Sequence, residues 1–219
     1  MTRRDPGARR AAFHRDLSIQ SAMQIVKIAI FASGNGSNAE NIIRYFRARP
    51  DEGIEVALVV CNRPGAMVIS RASALGVPVA TVSAADLRSH DTILPLLDSY
   101  GIGAIILAGF LQIVPSFITD RYAGRILNIH PSLLPRFGGK GMYGRHVHEA
   151  VVASGASETG ITVHHVTERY DEGAIVFQTS IPVTPDDTPD TIETRIHELE
   201  RLHFPRVIAE TLRRSPDNQ

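Results

Sequence analysis

Short apolar runs alternate along this chain with longer stretches in which apolar positions recur every three or four residues. Ile25 to Ala32, about Glu55 to Cys61, Val77 to Val82, Ile102 to Leu107 and Arg125 to Ile129 have the length and β-branching of buried strands. Between them lie helical stretches: about Ala39 to Ala48, a segment reaching Leu75 and closed by Gly76, and a region running from a Ser83 cap to about Tyr100. Strand and helix in alternation predict a parallel sheet covered on both sides. The rhythm changes near the C-terminus. Ile161 to Thr167 alternates in polarity, and Ala174 to Gln178 follows after a turn, which predicts an antiparallel hairpin. A last helix, capped by Thr188 or Asp190, carries Ile192, Ile196, Leu199, Val207 and Ile208 on its buried side, with Pro205 expected to kink or break it. The expected fold is α/β: a single-domain, Rossmann-like open twisted sheet, mostly parallel, with helices on both faces.

Composition narrows this picture only in places. The 219 residues suit one domain, and a hydrophobic fraction of 43% is enough for a sizeable core. Residues 1–22, with Arg3, Arg4, Arg9, Arg10 and Arg15, read as a disordered basic extension or as a start set too early, with Met23 the natural beginning. The domain is then expected over 23–214, with 215–219 a frayed tail. Lys+Arg and Asp+Glu balance at 23 each, so no global field points to nucleic acid or a membrane surface. A single cysteine, Cys61, excludes an internal disulfide and a multi-cysteine zinc site, and it ends an apolar run as a small buried residue would. No apolar run is long enough to span a bilayer. A reducing, cytoplasmic setting fits these features.

The first strand runs directly into Ser33-Gly34-Asn35-Gly36-Ser37-Asn38 and then a helix. Strand, Gly-rich turn and helix present backbone N–H groups to an anion at a helix N-terminus. A dinucleotide is one candidate, since Gly34-x-Gly36-x-x-Ala39 fits a loose nucleotide fingerprint. That fingerprint expects an acid at the end of the second strand, where Val59-Val60-Cys61-Asn62 has none. A nucleoside triphosphate would want Gly-Lys-Ser or Gly-Lys-Thr after the loop, which is missing. A phosphomonoester remains.

A second candidate site lies at the end of the central strand. Asn128 and His130 are two apart, so on a strand their side chains leave one face, and Pro131 ends the strand beside them. An amide can donate to a developing oxyanion and an imidazole can move a proton near neutral pH, which is what acyl transfer needs. The loop Ala108-Gly109-Phe110-Leu111-Gln112-Ile113-Val114-Pro115 suits either a flat heteroaromatic ring or a satellite core cluster. Four glycines between Arg136 and Gly144 suggest a mobile lid. His146 and His148 alternate beyond it, but with no partner cysteine and a helix beginning there they do not read as a metal site. Asp171, ahead of a glycine, reads as a turn residue, and Glu200, near the apolar stripe of the last helix, as a partner for Arg195 or Arg201.

Taken together, Asn128-Ile129-His130-Pro131-Ser132-Leu133-Leu134-Pro135 is similar to the signature of the formyltransferases that use 10-formyltetrahydrofolate. Val163-His164-His165-Val166-Thr167, with Asp171 and Gly173 after it, resembles a second family motif, and the resemblance covers Ile25 to about Leu212. It implies catalytic roles for Asn128, His130 and Asp171, with Asp171 raising the pKa of His130. It further implies substrate phosphate on Gly36, Ser37 and Asn38, and substrate ribose on Glu200. Folate would lie against Leu107, Phe110, Leu111, Gln112, Ile113, Val114, Arg125, Asn128, Tyr170 and Asp171. Gln112 stands where some members carry a basic residue, and Glu172 replaces a small one, adding negative charge near the folate. Relatives acting on tRNA, sugars or water typically lack the Ser33 to Asn38 turn. The implied reaction is therefore formyl transfer to the amine of phosphoribosylglycinamide in purine synthesis. 10-Formyltetrahydrofolate would be co-substrate, with no permanently bound cofactor and no metal. Partners would be small molecules only, the protein acting as monomer or homodimer. A formyltetrahydrofolate hydrolase is the nearest alternative; a non-catalytic nucleotide-binding module is the alternative of another class.

Overall fold

The computed structural model describes residues 25–213, so the expectations for 1–22 and 215–219 lie outside the described residues. Seven strands form one sheet in the order β3-β2-β1-β4-β5-β6-β7. The parallel part comprises β1 (Val26–Ala32), β2 (Ile54–Cys61), β3 (Val79–Thr81), β4 (Ala104–Leu107) and β5 (Ile126–His130). Strands β6 (Glu158–His165) and β7 (Ile175–Pro182) join it antiparallel, as the change of rhythm predicts, and both are longer than their apolar cores.

Alternation along β1 explains why its run is apolar throughout. Ile28, Ile30 and Ala32 face one layer of the core, Ala29 and Phe31 the other, and only Lys27 near the strand's start reaches solvent. The first layer is closed by α1 (Ser37–Arg47), α2 (Met67–Ala74), α6 (Arg145–Ala153) and α7 (Pro189–Arg213); the second by α3 (Ala84–Arg88), α4 (His90–Ser99) and α5 (Ser116–Arg121). Ser83 caps α3 reciprocally with Asp86. Cys61 is buried and free. No helix among the described residues is long and apolar enough to cross a membrane.

Helix α7 is not broken at Pro205, one of the two outcomes expected there. Pro205 lies inside it, yet the helix continues to Arg213. Proline removes the hydrogen bond to the carbonyl four residues back. That carbonyl belongs to Arg201, and Asn41 Nδ2 of α1 donates to it at 2.9 Å. The neighbouring helix thus supplies the donor that proline lacks. At the other end Thr188 performs the capping, its hydroxyl accepting from Thr191 N–H, while Asp190 pairs with Arg145.

Candidate active site

Strands β1 and β4 are neighbours from which the chain leaves in opposite directions along the sheet, the topology that opens a crevice at strand C-termini. Here the crevice is a cleft of ≈ 610 Å³ bordered by the turn after β1, the loop after β4, the end of β5 and the 139–144 loop.

The turn after β1 forms one wall. Gly36 stands at the N-cap of α1 with φ 80°, and a Cβ there would lie 2.6 Å from the Val68 backbone. Both facts demand glycine. No side chain caps α1, so the first-turn N–H groups and the positive end of the helix are left for whatever enters the cleft beside Gly34 to Asn38. Asn38 Nδ2 is already engaged, donating to Glu200 Oε2 at 2.9 Å. Glu200 therefore takes Asn38 as its partner in place of an arginine; Arg195 turns instead to Asp187 and the Pro182 carbonyl. Burial pushes the Glu200 carboxyl up, against the opposing pull of Asn38 and His197, and Glu193 nearby adds to the rise.

The loop after β4 forms an apolar wall that both packs on the core and lines the cleft. Leu107 and Val114 are buried in the core, whereas Phe110, Leu111 and Gln112 are half-buried on the cleft and Ile113 stands 56% exposed at its rim. Phe110 packs edge-on against Phe31 at 5.2 Å. Ser33 ties this wall to the first: its hydroxyl donates to Asn62 Oδ1 at 2.6 Å and accepts from Leu111 N–H at 2.9 Å. Tyr170 and Asp171 close the opposite side. Arg125 does not line the cleft. It precedes β5, at the far end of the strand, and its Nε donates to the Gly103 carbonyl at 2.6 Å. Glu172 is not at the cleft either; it pairs with Arg169 at 3.3 Å on the exposed outer side of the loop.

The floor brings Asn128, His130 and Asp171 together. Asp171 has φ 55°, a left-handed conformation that aspartate tolerates better than most side chains. Its Oδ2 accepts from Gly139 N–H at 2.9 Å and lies 3.6 Å from His130 Nδ1, while its Oδ1 lies 3.6 Å from His164 Nε2. Carbonyl partners fix both imidazole tautomers, because a carbonyl can only accept. His130 Nε2 is 2.7 Å from the Phe137 carbonyl and so carries a proton, leaving Nδ1 toward Asp171. His164 Nδ1 donates to the His165 carbonyl at 2.9 Å, so its Nε2 accepts from Asn128 Nδ2 at 3.0 Å. That bond orients the Asn128 amide and leaves its second N–H for the cleft.

The charge states follow from burial. His130 is 4% exposed, and desolvation holds it below the usual histidine value despite Asp171 and the Phe137 carbonyl, with His164 adding to the fall. Asp171 acts to raise the His130 pKa, as expected, but burial outweighs it and the net shift is downward. For Asp171 itself burial pulls upward, yet His164, His130 and the Gly139 N–H together hold it below the ordinary carboxylate value. The pair is thus a neutral imidazole beside a carboxylate.

Sequence reasoning missed His164, whose signal was the alternation of its strand: in the antiparallel register it lies opposite Asn128. It also missed His148, His197 and Glu193 on the α6–α7 wall. His148 is buried, its Nδ1 has no hydrogen-bond partner, and desolvation lowers its pKa. No group of three or more His, Cys, Asp or Glu among the described residues is arranged to hold a metal ion.

Comparison with known proteins identifies the family. Residues 26–208 match the formyl transferase family. Phosphoribosylglycinamide formyltransferase of Bacillus subtilis is 37% identical over 190 residues, covering 85% of this chain and 94% of that protein. The chloroplastic phosphoribosylglycinamide formyltransferase of Arabidopsis thaliana is 39% identical over 183 residues, 81% of this chain. The chain spans only 62% of that relative's length, and 14% of a trifunctional purine biosynthetic protein of Drosophila melanogaster. The crystal structure of glycinamide ribonucleotide transformylase 1 from Geobacillus kaustophilus is similar with a TM-score of 0.77 and 38% identity, covering 86% of this chain and all of that one (100%). The chain belongs to the formyl transferase family.

Proposed function

We propose that this protein transfers the formyl group of 10-formyltetrahydrofolate to the amine of phosphoribosylglycinamide, a step of purine synthesis. One observation supports this above the others: an amide, an imidazole and a carboxylate meet on the floor of a cleft whose side wall is an uncapped helix N-terminus. The phosphate of the acceptor would sit on the N–H groups of Gly36, Ser37 and Asn38, its ribose hydroxyls near Glu200. The apolar wall from Leu107 to Val114, with Tyr170 opposite, would take the pterin ring.

In this reading the amine attacks the formyl carbon and the tetrahedral oxyanion receives the free N–H of Asn128. A donor of this kind is typically worth about 10²–10³ in rate. The new N–C bond forms as the folate N–C bond breaks. One proton leaves the amine and one reaches the departing folate nitrogen. His130 would carry it, taking it on Nδ1, where Asp171 faces the resulting imidazolium; such a shuttle contributes roughly 10²–10⁴. The acceptor supplies the nucleophile, so no covalent intermediate on the protein is involved.

The test is a formyl-transfer assay offering glycinamide ribonucleotide, a sugar amine and water as acceptors. Turnover dominated by glycinamide ribonucleotide is expected. Equal release of formate with no amine present would assign the chain to folate hydrolysis, and preference for a sugar amine would remove the phosphate wall from the argument.

A further inference from the structure

A polar cluster beneath His130 plays no part in the chemistry above. Thr162 on β6 is fully buried, and its hydroxyl donates to the Ser132 carbonyl at 2.6 Å while accepting from Leu134 N–H at 3.0 Å and Gln178 Nε2 at 2.8 Å. One proton and two lone pairs are all a hydroxyl has, so its capacity is filled. Gln178 Nε2 gives its other proton to the Leu134 carbonyl at 2.9 Å, and Ser132 Oγ donates to the Arg136 carbonyl at 2.7 Å. Carbonyl partners again settle which end of the glutamine faces inward.

The placement of these groups is what matters. His130, Thr162 and Gln178 are register partners in one row across β5, β6 and β7, so their side chains share a face of the sheet. The hydrogen bonds hold Ser132, Leu134 and Arg136, alternate residues of the turn between His130 and Phe137. That turn ends at the carbonyl which receives the His130 Nε2 proton. The inner members, Thr162 and Ser132, are fully buried, while Gln178 reaches them from the exposed face of β7; removing its amide leaves a buried Thr162 lone pair and the Leu134 carbonyl without that donor.

We propose that Thr162 and Gln178 are positioning residues for His130: they fix the Ser132 to Phe137 turn so that the Phe137 carbonyl holds the imidazole as its Nε2–H tautomer with Nδ1 toward Asp171. The inference rests on the reading of His130 as the proton carrier, and it extends that reading to a residue on the outermost strand. Thr162, Gln178 and Ser132 carry no charge. The charged or titratable groups around the ring are Asp171, His164 and His148, together with Arg136 stacked on the Phe137 ring, and all are left in place when the network is cut. A change in the ring's behaviour would therefore report geometry rather than a lost charge.

The experiment uses the full chain with Gln178→Leu, Thr162→Val and, as conservative control, Thr162→Ser, each checked for folding by thermal denaturation. Imidazole nitrogen NMR of His130 gives its tautomer without reference to turnover. In Gln178→Leu the Nε2–H form should give way to a mixture, and kcat should fall about tenfold to a hundredfold with both KM values within about twofold. Thr162→Val should do the same or more, and Thr162→Ser should restore the parent tautomer and rate. A folded Gln178→Leu protein with the parent His130 spectrum and parent kcat would overturn the proposal. So would a rate loss that merely tracks the unfolded fraction. If His130→Ala instead kept its turnover, the proton-carrier reading would fail on its own, while the tautomer measurement would still decide whether the network positions the ring.

Discussion

The two halves of the sheet build their share of the cleft by different means. In the parallel half the wall is main chain: a turn with Gly36 at φ 80° and the open N–H groups of α1. At the antiparallel end the floor is side chains, contributed by β5, by β6 and by the loop before β7. Asn128 and His164, which hydrogen-bond at 3.0 Å, are 36 residues apart in sequence and meet only because the antiparallel register sets them opposite. A main-chain site is written in consecutive residues, whereas a side-chain site assembled by strand pairing is written in the register. Changes at the floor should therefore alter chemistry with binding intact, and changes in the wall should do the reverse.

His130→Ala is the largest effect expected. It should lower kcat by at least about a hundredfold, the range for a lost proton shuttle, and leave both KM values within a few-fold. Steady-state kinetics decide it, and a comparable rise in KM would merge floor and wall into one binding surface. The pH dependence sharpens the same contrast. Burial lowers the His130 pKa, so the neutral ring persists below the usual 6.5 and the acid limb of kcat/KM should lie beneath that value. Asp171 opposes the lowering. Asp171→Asn should therefore move the limb further down, besides reducing kcat. Comparing variant with parent cancels the contribution of the substrate amine, and an unmoved limb would show that Asp171 does not act on the ring.

Gly36→Val probes the wall. A valine at positive φ is strained by ~1–2 kcal/mol before its clash with Val68 is counted. The expected outcome is a lower melting temperature and a KM for the phosphorylated acceptor raised well above tenfold, with the folate KM less affected. Isothermal titration with the acceptor alone separates this from general unfolding. Retained acceptor affinity in the folded fraction would show that the turn serves stability only.

The comparison also explains which parts were legible beforehand. The alternation of runs encodes the parallel sheet, because a strand buried on both faces must be apolar throughout, as β1 is. The Gly34 to Asn38 turn is legible for the local reason given above, and Asn128 and His130 are legible as neighbours on one strand. His164 is not, since only the pairing of β5 with β6 gives it a partner. Glu200 reads as an ion-pair residue because arginines flank it in sequence, but helix geometry turns it inward to meet Asn38 of α1. Arg125 was misplaced for a related reason. It lies three residues before Asn128, yet along a strand that separation is about 10 Å, so Arg125 sits at the N-terminal end of β5, away from the cleft at its C-terminal end. Pro205 reads as a kink or break because no local rule reveals Asn41, 160 residues before Arg201, donating to the carbonyl that proline leaves without a partner.

Glu200→Gln gives the smallest and most discriminating effect. The carboxyl is buried and its folded pKa is raised above the ordinary 4.5. A raised carboxyl pKa means that the folded state binds its proton more tightly than the unfolded state does. Stability from this group is therefore present at low pH and is lost as pH rises from the unfolded value through the folded one. Glutamine keeps an oxygen to accept from Asn38 and has no charge to bury. The variant should melt higher than the parent at neutral pH, by ~2–4 °C for each ~1 kcal/mol relieved in a chain of this size. The advantage should shrink as pH falls toward 4.5 and vanish below it, where the parent carboxyl becomes protonated in both states. If the carboxylate meets the acceptor's ribose hydroxyls, the same substitution should also raise that substrate's KM a few-fold, so stability and affinity would move in opposite directions. A pH-independent gain would mean that the carboxyl titrates alike in the folded and unfolded chain, so that burial does not raise its pKa.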